Sequence, residues 1–126
     1  NQFGAVQAIG GVNEKIEGFF ELCAARGFAE GQGVVIPAAN VRHLMLREDV
    51  VAAASAGRFV IHAVASVDEA MEALTGLPAG VADAKGLMPA GTINQRVASA
   101  LADMTAARHS YSMGEGNSRK SGRRTP

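Results

Sequence analysis

The most informative segment of this chain is Val6-Gln7-Ala8-Ile9-Gly10-Gly11-Val12-Asn13-Glu14-Lys15-Ile16-Glu17. Short apolar residues before the glycines predict a strand over residues 5–9, and the glycine pair predicts a turn. The next residues predict a helix over residues 12–26 whose apolar side chains share one arc of the helical wheel. The polar residues that point the other way are Asn13, Glu14, Glu17 and Glu21. Lys15 falls inside the apolar arc, between Phe19 and Leu22, and is the best candidate for chemistry.

A lysine at this position has two possible roles. A lysine that acts as a general base at neutral pH needs its ammonium form destabilised by about 4 kcal/mol relative to water, and removal from water among apolar side chains can supply this. The neutral amine then accepts a proton from a hydroxyl nucleophile. Alternatively, Lys15 lays its stem along the apolar stripe and lifts its ammonium into solvent. The helical wheel leaves both roles open.

Strands and helices alternate along the first 76 residues. The predicted elements after the first strand are a helix over residues 12–26 ended by Gly27, a strand over residues 33–36, a helix over residues 48–56 ended by Gly57, a strand over residues 59–64 and a helix that ends at Gly76. A strand, a helix and a second strand in this order predict a right-handed parallel unit. We therefore expect an α/β fold built from βαβ units, with a short parallel or mixed sheet and flanking helices.

Polar residues mark the ends of several elements. Asn40 is expected to cap a short turn that runs to Leu46. Ser66 and Glu69 have the spacing of a capping box at the start of the helix that ends at Gly76. The strand over residues 59–64 is apolar on both faces, as a central strand would be.

The chain changes character after Gly76. Residues 77–91 are rich in proline, glycine and alanine and predict a linker or an ordered loop. Thr92 and Gln95 form another capping box, and an amphipathic helix is predicted to follow as far as about Arg108. We expect residues 110–126 to be a disordered basic tail that stays in solvent and has no specific nucleic-acid partner. The resulting division is 1–76, 77–109 and 110–126.

Composition excludes several classes of protein. The 126 residues contain 12 basic and 12 acidic side chains, so no net charge attracts nucleic acid or acidic membranes. The single cysteine, Cys23, lies on the apolar arc of the first helix, where we expect it to be a small core residue in a reducing compartment. No apolar run or leader pattern indicates a membrane span or export. A cytoplasmic location is expected.

Other candidate chemistry is weak. His43, His62 and His109 are far apart in sequence and have no spacing typical of metal ligands, so no metal site is predicted. We expect His62, in an apolar strand, to be a hydrogen-bonded core residue. The Gly10-Gly11 turn could cradle an anion at the helix start, but Glu14 and Glu17 place negative charge there and disfavour phosphate.

Several segments resemble the Lon proteases (peptidase La). Residues 7–15 are similar to the lysine motif of that family, in which a Gly-Gly turn leads to the helix that bears the lysine of a Ser-Lys dyad. The segment Ile36-Pro37-Ala38-Ala39-Asn40 resembles the family's Ile-Pro-x-x-Asn segment, and residues 58–64 with 67–70 resemble its last strand and following helix. Residues 11–20 and 40–47 look closest to the B-type branch. The resemblance covers residues 1–76.

The resemblance implies a parent enzyme and a role for this chain in it. The parent would be an ATP-dependent serine endopeptidase that degrades protein or peptide substrates as a homo-oligomeric ring, with Lys15 as the general base. The family's nucleophilic serine lies in a Pro-Lys-Asp-Gly-Pro-Ser-Ala-Gly type segment upstream of the lysine, and no such segment occurs here. No Gly-x-x-x-x-Gly-Lys-Ser/Thr loop occurs either, so ATP and Mg would belong to an ATPase module outside this chain.

These absences lead to two expectations. The chain would be part of a Lon-like protease domain that is incomplete at its N-terminus, and it would be inactive as a peptidase and as an ATPase by itself. It binds no cofactor of its own in this interpretation. The alternative is a catalytically inactive remnant of such a protease that retains only assembly or binding surfaces.

Overall fold

A computed structural model describes residues 1–118 of the chain, with side chains described for residues 1–111. The chain divides into two compact units, one formed by residues 1–77 and the other beginning at Pro78. The elements in chain order are α1 (Val12–Arg26), β1 (Gly33–Pro37), a 3-10 helix (Ala38–His43), α2 (Glu48–Ser55), β2 (Val60–Val64), α3 (Val67–Thr75) and α4 (Ile93–Ser118). The mixed α/β class is confirmed, and α1, β1, α2, β2 and α3 lie within one residue of their predicted limits.

The sheet of the first unit contains β1 and β2. They pair in parallel, from Gly33 opposite Val60 to Pro37 opposite Val64. Helix α2 lies in the connection between them, so β1, α2 and β2 form the βαβ unit of this fold. Gly33 is required by the close approach of the strands, because a Cβ atom there would lie 2.0 Å from the Val60 carbonyl oxygen.

The prediction of a strand over residues 5–9 is wrong. This segment makes only an isolated antiparallel bridge between Ala5 and Ser66, and the parallel unit expected from it does not form. The Val6 N–H donates to the Ala65 carbonyl at 2.9 Å, whereas the Ile9 main chain is bound by a side chain. A strand needs a neighbouring strand that accepts and donates hydrogen bonds along its main chain. Among residues 1–118, the segment 5–9 has only the single bridge from Ala5 to Ser66. Since β2 pairs along its length with β1 alone among residues 1–118, its predicted central position is also not found.

The core of the first unit lies between α1, α2 and the sheet. Its buried members are Val12, Ile16, Phe20, Cys23, Ile36, Val50, Ala53 and Phe59. Phe20 and Phe59 meet edge to face with ring centroids 5.3 Å apart, a favoured geometry for aromatic pairs. Cys23 is 1% exposed, which confirms its role as a small core residue. This core fixes the buried face of α1.

The residues of both predicted capping boxes bond at the helix starts, although Glu69 and Gln95 bond the residue before each cap instead of the cap itself. Ser66 Oγ accepts the Glu69 N–H at 3.2 Å, and Glu69 Oε2 accepts the Ala65 N–H at 2.6 Å, so α3 begins as predicted. In the second unit, Thr92 Oγ1 accepts the Gln95 N–H at 3.4 Å at the start of α4. These side chains satisfy main-chain donors that have no partner within their helices.

Helix α4 is longer than predicted. It runs to Ser118, ten residues past the expected end at Arg108, so residues 110–118 of the predicted disordered tail are helical. No proline interrupts this stretch, and each residue added to an existing helix forms another hydrogen bond while only one residue's dihedral angles are fixed. The basic run over residues 119–124 lies outside the described residues. In the part of the chain that the structure describes, no helix is long and apolar enough to cross a membrane.

Candidate functional site around Lys15

The Gly10-Gly11 turn sets the direction of α1. Gly11 has a φ of +64°, which an L side chain adopts only with strain, and no side chain caps the helix here. Its carbonyl accepts the Lys15 N–H at 3.2 Å, the first hydrogen bond of the helix. Glu14 in the first turn adds a negative charge where the helix dipole favours one.

Lys15 lies on the exposed side of α1. Its Nζ donates to the Gly10 carbonyl at 3.1 Å, so the side chain turns back over the Gly-Gly turn. The apolar arc predicted from the wheel is divided in the structure: its buried part is Val12, Ile16, Phe20 and Cys23. Lys15 belongs to the other part, with Phe19 and Leu22, which are 38% and 45% exposed. We call Lys15, Phe19 and Leu22 the exposed flank of α1.

The buried side chain of Asn40 holds the segment before the turn. Asn40 is 4% exposed and lies in the 3-10 helix after β1. Its Oδ1 accepts the Ile9 N–H and its Nδ2 donates to the Ile9 carbonyl, both at 2.9 Å. The expected role of Asn40 as a cap for a turn through Leu46 is therefore wrong. The amide instead takes the place of a strand neighbour for Ile9 and fixes the residue that precedes Gly10-Gly11.

The polar side of α1 is bound to residues 43–47. Asn13 Oδ1 accepts the Met45 N–H at 3.0 Å, and Asn13 Nδ2 donates to the His43 carbonyl at 3.3 Å. One turn later, Glu17 Oε1 accepts the Arg47 N–H at 3.0 Å. The helical wheel placed Asn13 and Glu17 opposite the apolar arc but gave no partner for them. Such contacts join positions about 30 residues apart, and helical periodicity carries no information about them.

Arg47 connects α1 to the start of α2. Its guanidinium pairs with Glu21 of α1 and with Asp49 of α2, the latter at 2.8 Å. The hydrogen bond from Arg47 lowers the pKa of the Asp49 carboxyl below its ordinary value, against a smaller opposing effect of desolvation. The same bond, followed by the one to Glu21, raises the pKa of Arg47. All three side chains are substantially exposed, so solvent screens these pairs and limits their effect on stability.

The other candidate residues do not join Lys15 in a site. His62 is exposed on β2, so its predicted position in the core is wrong. Among the residues described, no group of three His, Cys, Asp or Glu side chains is placed to hold a metal ion. Ser66 Oγ is bound to the main chain at the start of α3. An open cleft of about 290 Å³ lies elsewhere, lined by Phe28, Ala29, Glu30, Gly31, Gly57 and Arg58.

Comparisons with known proteins give two relatives. One is described as "Putative Lon protease homolog" of Escherichia coli (strain K12), 48% identical over 103 residues, which are 79% of this chain and 17% of that protein. The other has the same description in Haemophilus influenzae (strain ATCC 51907 / DSM 11121 / KW20 / Rd) and is 46% identical over 76 residues, 60% of this chain and 13% of that protein. The chain thus spans less than a fifth of either relative's length. No protein-family model matches the chain.

Proposed function

Since this chain carries a Lon-like domain, we propose that it is the lysine-bearing part of a serine endopeptidase that uses a Ser-Lys dyad. The observation that carries the proposal is the position of Lys15, whose Nζ lies over the Gly10-Gly11 turn on the exposed side of α1. An exposed amine can be reached by a hydroxyl from another part of a longer protein. The resemblance of residues 7–15 to the lysine motif of Lon proteases supports the same assignment.

The chemistry we propose is acyl transfer to a serine that lies outside this chain. Lys15, as a neutral amine, takes the hydroxyl proton while the serine oxygen attacks the peptide carbonyl, and it then gives that proton to the leaving amine. Water hydrolyses the acyl-serine in a second step. A lysine can do this without an aspartate partner, because its amine has no tautomer to be selected.

The neutral amine requires a drier setting than Lys15 has in the described residues. Phe19 and Leu22 are exposed beside it, and a segment that covered them would remove Lys15 from water as well. We propose that the serine-bearing part of the full-length protein packs on the exposed flank. In that arrangement the packing that completes the dyad also destabilises the ammonium form of Lys15.

ATP and Mg are outside the chemistry of this chain. The residues at the start of α1 do not suit a nucleotide phosphate, because Glu14 lies in the first turn and Lys15 Nζ is bound to the Gly10 carbonyl. We therefore assign ATP dependence to another part of the protein and derive no step through it. Cytoplasmic location and protein or peptide substrates belong to the same proposal for the whole protein.

A second candidate function is assembly without catalysis. Helix α4 exposes Val97, Leu101 and Met104, which recur at helical spacing and are 51%, 58% and 67% exposed. Such a stripe is suited to contacts with another subunit in a ring. In this alternative the chain keeps subunit contacts of a Lon-like protein but takes no part in peptide hydrolysis.

Covalent labelling of the serine distinguishes the two functions. We would treat the full-length protein that contains this segment with a fluorophosphonate, which reacts with activated serines, and compare it with Lys15→Gln and Lys15→Arg. Lys85→Gln, at an exposed lysine of the second unit, is the matched control. The dyad predicts labelling of the unchanged protein and of Lys85→Gln, with loss in both Lys15 variants, since guanidinium does not give up its proton. Absence of labelling in every form would favour the assembly function.

A further inference from the structure

We propose that Asn40 is a positioning residue for Lys15, an inference that rests on the function proposed above. Its amide is buried, and both of its polar atoms form hydrogen bonds of 2.9 Å to one residue, Ile9. Ile9 itself is 44% exposed and lies in irregular structure. A buried amide that pairs with both main-chain groups of an exposed residue fixes that residue's position and orientation.

The bound residue directly precedes the turn that carries the lysine. The Ile9 carbonyl and the Gly10 N–H belong to one planar peptide group, so Asn40 fixes the orientation of that group. The next carbonyl, that of Gly10, accepts Lys15 Nζ at 3.1 Å. Asn40 therefore orients the main chain that holds the amine of Lys15, although it lies 25 positions away in sequence.

Asn40 is itself held by the core of the first unit. It follows β1, whose last residues, Ile36 and Pro37, are buried, and Ile36 belongs to the hydrophobic core. The link thus runs from a packed strand through Asn40 and Ile9 to Gly10 and Lys15. Without the Asn40 amide, Ile9 would have no strand to hold it, because residues 7–9 join no strand in the described part of the chain.

Removing this link is expected to lower kcat. An error of about 1 Å in the placement of a catalytic group costs roughly a hundredfold in rate. For Asn40→Ala in the full-length protein we expect kcat for a peptide to fall by about tenfold to a hundredfold. Because the Asn40 side chain is buried and both its polar atoms are bound to Ile9, KM should stay within about twofold. Asn40→Ser keeps an uncharged hydroxyl that can replace one of the two hydrogen bonds to Ile9, so a smaller fall in kcat is expected.

The experiment separates positioning from stability. Val50→Ala removes buried methyl groups from α2, which contributes no residue to this link, and is the matched destabilising control. Val41→Ala, at an exposed neighbour of Asn40, is the silent control. Besides kcat and KM, we would record the NMR signal of Lys15 after reductive methylation with isotope-labelled methyl groups. Asn40→Ala should move that signal towards those of solvent-exposed lysines, whereas Val50→Ala should leave both the signal and kcat near their original values.

Two outcomes would overturn the inference. The first is an Asn40→Ala protein with unchanged kcat and an unchanged Lys15 signal. The second is a fall in kcat no larger than that of Val50→Ala at equal stability, which would make Asn40 a purely structural residue. Asn40→Ser replaces Asn40→Ala in both comparisons if the alanine variant does not fold. Lys15→Gln tests the proposed function separately: if it retains activity, the dyad fails, whereas an inactive Lys15→Gln with a normal Asn40→Ala refutes only the positioning role.

Discussion

Asn13 of α1 accepts the N–H of Met45 at 3.0 Å and so joins the helix that carries Lys15 to the segment after the 3-10 helix. The same side chain donates to the His43 carbonyl, two residues earlier. These two hydrogen bonds therefore join two segments that resemble Lon proteases, residues 11–20 and residues 40–47. Together with the pair formed by Asn40 and Ile9, this contact fixes the start of α1 from two sides.

Loss of the Asn13 contacts should destabilise the first unit. For Asn13→Ala we expect the free energy of unfolding to fall by about 1 kcal/mol, because two partly exposed hydrogen bonds are lost and water replaces them in part. Urea denaturation measures this change. Arg42→Ala, at an exposed residue of the 3-10 helix, is the control and should change stability by less than about 0.5 kcal/mol. Equal stability of Asn13→Ala and the original protein would refute the contribution of these bonds.

Gly33 should tolerate no side chain. An alanine Cβ there would lie 2.0 Å from the Val60 carbonyl oxygen, so β1 and β2 would have to separate at their first pair. We expect Gly33→Ala to lose at least about 2 kcal/mol of stability through this strain. Gly18→Ala is the matched control, since its Cβ meets nothing within 4 Å in the middle of α1. It should raise stability by about 0.5–1 kcal/mol through helix propensity. Thermal unfolding of both variants would test the pair, and a stable Gly33→Ala protein would contradict the strand register.

Gly11 should be required for its backbone conformation. Its φ of +64° is in the left-handed region. A Cβ atom added at Gly11 would meet no clash, because the nearest atom, Glu14 Oε2, would lie 3.6 Å away, an ordinary contact distance. Gly11→Ala is therefore expected to cost about 1–2 kcal/mol through backbone strain alone. Gly11→Asn should cost less, because asparagine adopts this conformation more readily. Chemical denaturation of the two variants gives the comparison, and an alanine variant more stable than the asparagine variant would exclude backbone strain as the cause.

The Arg47 and Asp49 pair should make stability depend on pH in the acid range. The pKa of Asp49 is lower in the folded protein than its ordinary value of 3.8, so its contribution is fully present above that ordinary value. It is lost as the pH falls through the lower pKa of the folded state. The difference in thermal midpoint between the original protein and Asp49→Asn should therefore shrink as the pH falls from 7 to 2. When both proteins also carry Arg47→Met, this difference in thermal midpoint should shrink less on acidification. A difference that grows on acidification would contradict the direction of the pKa change.

Local patterns were sufficient to predict most elements of the first unit. Helix α1 and its end at Gly27, and α3 with its Ser66 and Glu69 box, depend on side chains within a few positions of one another. The predicted strand over residues 5–9 failed because a strand depends on a partner elsewhere in the chain. His62 was misplaced for a similar reason, since an apolar sequence around it does not show which face of β2 is covered.

The candidate site was predictable in part. The Gly10-Gly11 turn and the helix that bears Lys15 follow from residues 6–17, and the role of Lys15 as a base stays a prediction. The wheel did not divide the apolar arc of α1 into a buried part and an exposed flank, because that division depends on where the sheet and α2 pack. It also gave no partner for Asn13, and Asn40 was expected to cap a turn instead of holding Ile9.

We propose that Lys15 supplies the base of a Ser-Lys peptidase. The most direct test is the rate of peptide hydrolysis by the full-length protein that contains this segment, compared with Lys15→Gln and with Lys85→Gln at matched folding and concentration. We predict hydrolysis at similar rates by the unchanged protein and by Lys85→Gln, and a loss of at least about a thousandfold in Lys15→Gln, as expected for removal of a member of a catalytic unit. Hydrolysis by Lys15→Gln at the original rate would show that Lys15 is not the base.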